Sequence, residues 1–263
     1  FEKNDFDNIV KGLFNKNNET LDDVSNALIF LMKKLKEYYG KEVMLFIDEY
    51  DTPFIESRVG NFYSEIKSGL STLLRSSLKN SIDLKYAMLT GIQRVAKESV
   101  FSDLNNLDVY TVIDNDYSEY FGFSTQETKE LLEYCHLELN EEVKEMYDGY
   151  KIGEKEIYNP WSILNYARRN VLVPYWVNTS ANTMIKQAIE KVNYDFKEEY
   201  DKLITNNSLE TTVNLQTSFY EVANTPNLWG LFVSAGYLTV DEIIDIEDNY
   251  YRIQIPNNEV KTE

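Results

Sequence analysis

The stretch Val43-Met44-Leu45-Phe46-Ile47-Asp48-Glu49-Tyr50-Asp51 decides the fold class. It begins with a short apolar run bounded by polar residues, which is typical of a strand buried on both faces of a parallel sheet. The run leads directly into the adjacent carboxylates of Asp48 and Glu49. In open α/β sheets the ligand crevice lies at this carboxyl end of the strands. The stretch therefore predicts a parallel sheet and the edge at which its site lies.

Helices and strands alternate on either side of this stretch. Apolar residues at helical spacing predict a helix over 20–39, ended by Gly40, and a second helix over about 62–79. Further buried strands are predicted at Leu84–Leu89 and at Asp108–Ile113. Such alternation is typical of a parallel α/β layer.

Beyond residue 118 the predicted elements become mainly helical. Ser124 with Glu127 forms a capping box, and Asn159-Pro160 is typical of a cap followed by proline at the first helical position. Helices are predicted from Ser124 to about Cys135, from Asn140 to Asp148, and over 161–169, 181–191, 194–206 and 228–235. Two β-rich runs, Tyr237–Ile246 and Tyr250–Ile255, follow, and helices followed by one hairpin favour a winged-helix-like module.

Composition narrows the function classes. The net charge of −18 over 263 residues disfavours non-specific binding of DNA or RNA. No apolar run reaches the length that spans a bilayer, so we expect no membrane insertion. The single cysteine, Cys135, cannot form an internal disulfide, which predicts a cytoplasmic location. The lone His136 beside it indicates packing rather than a metal site.

The acidic turn after the first strand carries the strongest chemical signal. ATP hydrolysis needs one carboxylate to hold Mg²⁺ and another to polarise the attacking water, and Asp48 and Glu49 fit those roles in that order. Thr90 ends the neighbouring strand and is suited to sensing the γ-phosphate. A solvated acidic turn that caps the next helix explains the motif equally well by itself.

The string Phe46-Ile47-Asp48-Glu49-Tyr50-Asp51-Thr52-Pro53 resembles the Walker B segment of the AAA-ATPase-like family of bacterial P-loop proteins. Further segments resemble that family in the same order, at residues 89–95, 97–107, 120–123, 147–150, 158–163, 175–180, 236–239 and 255–257.

The resemblance implies roles for six residues. Asp48 would hold Mg²⁺, Glu49 would be the hydrolytic base and Thr90 a sensor-type residue. Asn159-Pro160 would lie near the adenine. Arg94 is a candidate phosphate-charge sensor or trans-acting finger, although surface pairing is the commoner role of a single arginine. ATP and Mg²⁺ are the cofactors implied for the intact protein.

The sequence departs from the family pattern at the phosphate loop. It contains no G-x-x-x-x-G-K-[ST], and its Gly-Lys pair is Gly40-Lys41, followed by Glu42. We therefore expect the phosphate loop to precede Phe1 and a nuclease-like domain to follow about Pro256. The chain would then be a fragment that is inactive alone, and whether it binds any cofactor by itself is left open.

The missing loop has a consequence for the sheet. In this family the phosphate-loop strand should lie between Leu84–Leu89 and Asp108–Ile113, so its absence leaves unpaired backbone groups. We expect a separate N-terminal piece, a second copy of the chain or a collapsed sheet to fill that gap.

The predicted fold is α/β, a partial P-loop NTPase sheet of AAA+/STAND type. The sheet and its Walker B segment would occupy 1–118, a helical lid 119–172 and the winged-helix-like module 173–263. A non-catalytic interaction scaffold with a vestigial nucleotide site is the alternative function. A metal-dependent nuclease is disfavoured, because Glu65-Ile66-Lys67 falls in a predicted helix and Glu259-Val260-Lys261 near the end of the chain.

Overall fold

A computed structural model describes residues 26–59, 62–79, 81–94, 107–176, 185, 188–189, 194–218 and 222–262, which form a mixed α/β structure with small sheets. The helices are α1 (Ala27–Tyr39), α2 (Thr52–Val59), α3 (Tyr63–Leu78), α4 (Thr125–Tyr134), α5 (Glu141–Tyr147), α6 (Pro160–Arg169), α7 (Tyr194–Asn206), α8 (Thr225–Ser234) and α9 (Asn258–Lys261). The strands are β1 (Val43–Ile47), β2 (Leu84–Leu89), β3 (Phe123–Ser124), β4 (Tyr150–Ile152), β5 (Lys155–Tyr158), β6 (Ser208–Thr212), β7 (Thr239–Asp245) and β8 (Tyr250–Gln254).

The chain divides into two compact units. Unit 1 comprises Phe1–Asp108 together with Gln216–Glu221, and unit 2 comprises Val109–Leu215 together with Val222–Glu263. The predicted division into 1–118, 119–172 and 173–263 stays a prediction.

Unit 1 contains a parallel pair of strands. β1 and β2 pair from Val43 opposite Leu84 to Ile47 opposite Leu89, with a register shift after Val43, which confirms both predicted strands and their parallel direction. α1 ends at Gly40, whose left-handed backbone lets its N–H donate to the Lys36 carbonyl.

The prediction that these strands are buried on both faces is wrong. Apolar side chains of β1 and β2 pack around Phe54 and Leu74 on one face of the pair. On the other face Phe46 is 68% exposed and Tyr86 63% exposed. Successive side chains of a strand point to opposite faces, and among the described residues Phe54, Leu74 and Leu78 of α2 and α3 pack against one of these faces.

The third predicted strand, Asp108–Ile113, is not a strand in the structure. Its backbone turns instead: the Asp114 N–H donates to the Thr111 carbonyl, and the Asp114 carboxylate accepts from the N–H and hydroxyl of Thr111. Val112 accepts from the Gly153 N–H. These bonds satisfy the backbone locally, and an aspartate side chain that bonds nearby backbone competes with strand pairing.

Unit 2 contains two antiparallel sheets, with strand orders β3-β5-β4 and β6-β8-β7. The predicted capping box is present, since Ser124 and Glu127 each accept from the other's backbone N–H. Asn140 caps α5, and Asn159 with Pro160 begins α6, which confirms those predicted helix starts. These three caps mark the starts of α4, α5 and α6.

The C-terminal elements follow the predicted order. α7, α8 and the β7–β8 hairpin confirm three predictions, while most of the predicted helix 181–191 and residues 20–25 of the first helix lie outside the described residues. β6 was not predicted, and it pairs with β8 from Ser208 opposite Gln254 to Thr212 opposite Tyr250. The hairpin therefore belongs to a three-stranded sheet. The core of unit 2 includes Leu132, Tyr147, Tyr158, Ile163, Trp229 and Ile253.

Candidate functional site at the carboxyl ends of two strands

The carboxyl ends of β1 and β2 lie side by side and are joined by backbone hydrogen bonds. The Thr90 N–H donates to the Ile47 carbonyl at 2.9 Å. The Tyr50 N–H donates back to the Thr90 carbonyl at 3.0 Å. The turn after β1 and the residue after β2 are therefore fixed to each other.

Asp48 and Thr90 meet at this edge. The Thr90 hydroxyl donates to Asp48 Oδ1 in a short hydrogen bond, and the Glu49 N–H donates to the same oxygen at 3.0 Å. Asp48 is exposed, so its carboxylate remains accessible to solvent. The structure thus brings together two of the residues that the sequence singled out.

Glu49 has a left-handed backbone, with φ of 50°. Non-glycine residues adopt this conformation at a cost of about 1–3 kcal/mol, and such residues cluster at functional sites. The Glu49 side chain is exposed, and its Oε2 accepts a long hydrogen bond of 3.4 Å from the Thr52 hydroxyl. β1 ends at Ile47, and both carboxylates that follow it, Asp48 and Glu49, are open to solvent.

Arg94 lies four residues beyond Thr90 and is partly buried. Its Nη1 donates to Gln216 Oε1 at 2.7 Å. The guanidinium in this structure is paired with a neutral amide of the same unit.

Asn159 and Pro160 lie in unit 2, apart in the chain from the residues of the β1–β2 edge. Asn159 Oδ1 accepts from the Trp161 N–H at 2.9 Å, so the asparagine is the cap of α6. Both residues line a pocket with a volume of about 370 Å³. Its other lining residues are mainly apolar and aromatic: Val112, Phe121, Tyr150, Lys151, Ile152, Ile157, Tyr158, Trp176, Val233, Ser234, Ala235, Gly236, Leu238 and Thr239.

The Asp48 carboxylate fits a magnesium ion whose remaining ligands are phosphate oxygens and water. Among the described residues no cluster of three or more His, Cys, Asp or Glu side chains could hold a metal ion. Proteins usually bind Mg²⁺ through one or two carboxylates, with phosphate oxygens and water completing the shell. One exposed aspartate at the end of a parallel strand fits that arrangement, whereas a metal cage built from protein alone would need more ligands.

Neither of the two sequences considered for a nuclease lies on a strand. Residues 65–67 lie within α3, and Glu259 lies in α9. Glu259 is buried and accepts from the Ser162 hydroxyl and from the N–H groups of Tyr175 and Trp176. Its carboxylate is occupied by protein donors, which disfavours metal binding there.

Sequence reasoning missed Asp51 and Gln93, two buried polar residues beside the site. Asp51 Oδ2 accepts from the Gln93 N–H at 2.8 Å, and the Tyr50 hydroxyl donates to the Gln93 carbonyl at 3.0 Å. The sequence feature that could have identified Asp51 is its position in the acidic turn, three residues after Asp48. No sequence pattern distinguished Gln93.

None of the described helices is long and apolar enough to cross a lipid bilayer.

Comparisons with known proteins agree with the geometry of unit 1. Over 226 residues the chain is 28% identical to an uncharacterized protein in the vnfD 5′ region of Azotobacter chroococcum mcd 1. The alignment covers 84% of this chain but 42% of that relative, so the chain spans less than half of the relative's length. No solved structure matches the chain. The model of the AAA-ATPase-like family, described as a predicted AAA-ATPase, matches residues 3–101, which agrees with the resemblance found in the sequence.

Proposed function

We propose that this chain supplies the magnesium-binding and phosphate-sensing side of an ATP site. The observation that carries the proposal is the hydrogen bond from Thr90 to Asp48 at the carboxyl edge of a parallel strand pair. In open α/β sheets this edge is where ligands bind. The match of residues 3–101 to a predicted AAA-ATPase supports the same reading.

Each residue of the edge has a role in this proposal. Asp48 holds the magnesium ion, and Thr90 orients the Asp48 carboxylate and contacts the terminal phosphate. Glu49 is the exposed base that polarises water. The ion, when bound, would neutralise negative charge on the phosphates. Arg94 would leave Gln216 to reach the phosphates, because its guanidinium in this structure pairs with a neutral amide that an anion can replace.

The pocket of unit 2 is a second element of the proposal. Its aromatic and apolar lining, with a few polar groups, is typical of small-molecule pockets, and its volume of about 370 Å³ falls in their usual range. Asn159 and Pro160, which the resemblance implies near adenine, line this pocket, and we propose that it takes a small ligand within unit 2 by itself.

The phosphate loop itself would come from sequence outside this chain. The chain lacks the G-x-x-x-x-G-K-[ST] pattern and spans 42% of a relative's length. Backbone N–H groups and the lysine of that loop supply most of the grip on the phosphates. We therefore expect weak nucleotide binding and no hydrolysis by the chain alone, with a supplementary N-terminal piece or a second copy completing the sheet.

Two finer features of the fold belong to the same proposal. α4, α5 and α6 would form the helical lid that follows the nucleotide-binding sheet. α7 and α8 with the β6-β8-β7 sheet would form the winged-helix-like module. Its hairpin carries Asp241, Glu242 and Asp245, which disfavours DNA contact by this wing.

Titration of the chain with a fluorescent ATP analogue, with and without Mg²⁺, tests the proposal. We expect weak binding that depends on Mg²⁺ and that Asp48→Asn weakens by about tenfold or more, because the amide cannot offer a charged ligand. Asp201→Asn is the matched control, since Asp201 is an exposed aspartate on α7, in the other unit.

Equal affinities of the wild-type chain and the Asp48→Asn variant would contradict the assigned role of Asp48. A wild-type chain that binds no nucleotide at all would instead support the alternative of an interaction scaffold with a vestigial site.

A further inference from the structure

Asp51 is the third carboxylate of the acidic turn, and unlike the other two it is buried. Asp48 and Glu49 are exposed, whereas Asp51 is 1% exposed. Its Oδ2 accepts from the backbone N–H groups of Ile92 at 3.0 Å and Gln93 at 2.8 Å. These two donors lie in the loop that joins Thr90 to Arg94.

The loop is pressed closely against this carboxylate. A Cβ atom added at Gly91 would lie 2.5 Å from Asp51 Oδ1, 2.9 Å from Asp51 Cγ and 2.9 Å from Tyr50 Cε1. Such distances are shorter than any real contact of a Cβ atom, so only glycine fits this backbone. Asp51 Oδ1, on the side facing Gly91, is buried and has no hydrogen-bond partner among the described residues.

The neighbouring residues complete a buried polar network under the loop. The Tyr50 hydroxyl donates to the Gln93 carbonyl at 3.0 Å, and the Ser218 hydroxyl donates to Gln93 Oε1 at 2.9 Å. Gln93 is therefore bound through its N–H, its carbonyl and its side chain. These contacts restrict movement of the loop after β2 as long as Asp51 accepts hydrogen bonds from the two N–H groups.

Holding a loop with a buried carboxylate costs free energy. Taking the charge out of water is unfavourable unless hydrogen bonds compensate, and here one oxygen has none. Its burial accordingly raises the pKa of Asp51, and the N–H groups of Gln93 and Ile92 offset part of that rise. Costs of this kind are concentrated at sites where geometry matters for function.

We propose that Asp51 is a positioning residue that fixes the loop after β2. By holding this loop, Asp51 keeps the Thr90 hydroxyl in contact with Asp48 and fixes the backbone position from which the Arg94 side chain extends. The inference rests on the proposed function. It excludes Asp51 as a magnesium ligand, because Oδ2 is occupied by two backbone donors and Oδ1 is buried. Asp48 and Glu49 are left as the chemical pair of the turn.

Two measurements on Asp51→Ala and Asp51→Asn test the inference. Amide hydrogen exchange at Ile92 and Gln93 should accelerate by about tenfold or more in the alanine variant, because both N–H groups lose their acceptor. The asparagine variant keeps one carbonyl oxygen and should stay within about threefold of the wild type. Affinity for the Mg²⁺-bound ATP analogue, measured well below the unfolding temperature, should follow the same order, with about a tenfold loss in the alanine variant.

Gly91→Ala supplies a second route should Asp51→Ala fail to fold. The added methyl group displaces the loop while the carboxylate remains, so faster exchange at Ile92 and Gln93 and weaker binding are again expected. Gly40→Ala is the control, because no atom lies within 4 Å of a Cβ atom added at Gly40. The positive φ of this residue is strained for alanine, so the variant should lose stability without displacing the loop after β2.

Unchanged exchange in Asp51→Ala, or faster exchange with unchanged affinity, would overturn the inference. A wild-type chain that binds no nucleotide would count against the proposed function, and the exchange rates would still decide whether Asp51 fixes the loop.

Discussion

Asp51 and Asp48 show how burial separates two identical side chains three residues apart. Asp48 is exposed and accepts from the Thr90 hydroxyl, whereas Asp51 is buried and accepts only from backbone N–H groups. Asp48, Glu49 and Thr90 could be chosen from the sequence because the ends of adjacent parallel strands must meet. Asp51 could not, because its burial depends on the course of a loop some forty residues later, which no local pattern specifies.

The burial of Asp51 predicts a pH-dependent difference in stability. Its pKa is higher in the folded than in the unfolded chain, because burial penalises the charged form. The proton is then bound more tightly in the folded state, so the contribution to stability is present at low pH and is lost as pH rises through the folded pKa. The free energy of unfolding of the wild type, relative to Asp51→Asn, should therefore fall as the pH rises above the ordinary pKa range of an aspartate.

Urea denaturation at several pH values measures this difference. Asp201→Asn is the control, because it makes the same substitution at an exposed position in the other unit. A wild-type advantage over Asp51→Asn that grows with rising pH would contradict the assigned effect of burial.

At the scale of elements, a buried carboxylate of α9 binds donors on α6 and on the segment that carries Tyr175 and Trp176. Glu259 accepts from the Ser162 hydroxyl on α6 at 2.7 Å and from the N–H groups of Tyr175 at 2.6 Å and Trp176 at 2.8 Å. Trp176 also lines the pocket that holds Asn159. One side chain of a four-residue helix therefore fixes a wall of that pocket.

Removing this carboxylate should destabilise unit 2. Glu259→Ala removes the acceptor shared by the Ser162 hydroxyl and two backbone N–H groups and should lower the free energy of unfolding by about 3 kcal/mol. Glu259→Gln keeps a carbonyl oxygen and should cost about 1 kcal/mol. Urea unfolding followed by tryptophan fluorescence measures both. Glu138→Ala, an exposed glutamate in a loop, is the control. An alanine variant as stable as the control would show that α9 is held by other contacts.

Element prediction from sequence succeeded where the signal was local. Ser124 and Asn159 are N-caps whose side chains accept from backbone N–H groups in the first turn of their helices, so these helix starts could be predicted from residue type. It failed for Asp108–Ile113, where the apolar pattern was outweighed by the Asp114 side chain that bonds Thr111. It also missed β6, whose polar residues become a strand only because β8 lies beside them.

At the scale of the whole molecule, tyrosines divide into two populations. The chain has 20 of them, among which Tyr38 and Tyr134 are more than 80% exposed. Burial raises the pKa of Tyr147, Tyr150 and Tyr158, with the hydrogen bond to Asp148 as a further cause at Tyr158. The neutral phenol is therefore favoured in the folded chain.

Alkaline titration should resolve these populations. Tyr147, Tyr150 and Tyr158 should ionise only as the chain unfolds, because burial raises their pKa. Because the folded pKa values are raised, the stabilising contribution is present below about pH 10 and is lost above it. Phenolate absorbance compared with far-ultraviolet circular dichroism checks this expectation. A single reversible step for all tyrosines, with no loss of helix signal, would contradict it.

The two units are interleaved along the chain, because Gln216–Glu221 belongs to unit 1 while the residues on both sides of it belong to unit 2. A polypeptide that stopped at Asp108 would lack Gln216 and Ser218, the partners of Arg94 and Gln93. Separate production of residues 1–108 would thus yield the loop after β2 without these two hydrogen-bond partners. Limited proteolysis near residue 215 should therefore weaken the hydrogen bond between Arg94 and Gln216, although more than a hundred residues of chain separate Arg94 from the cleavage point.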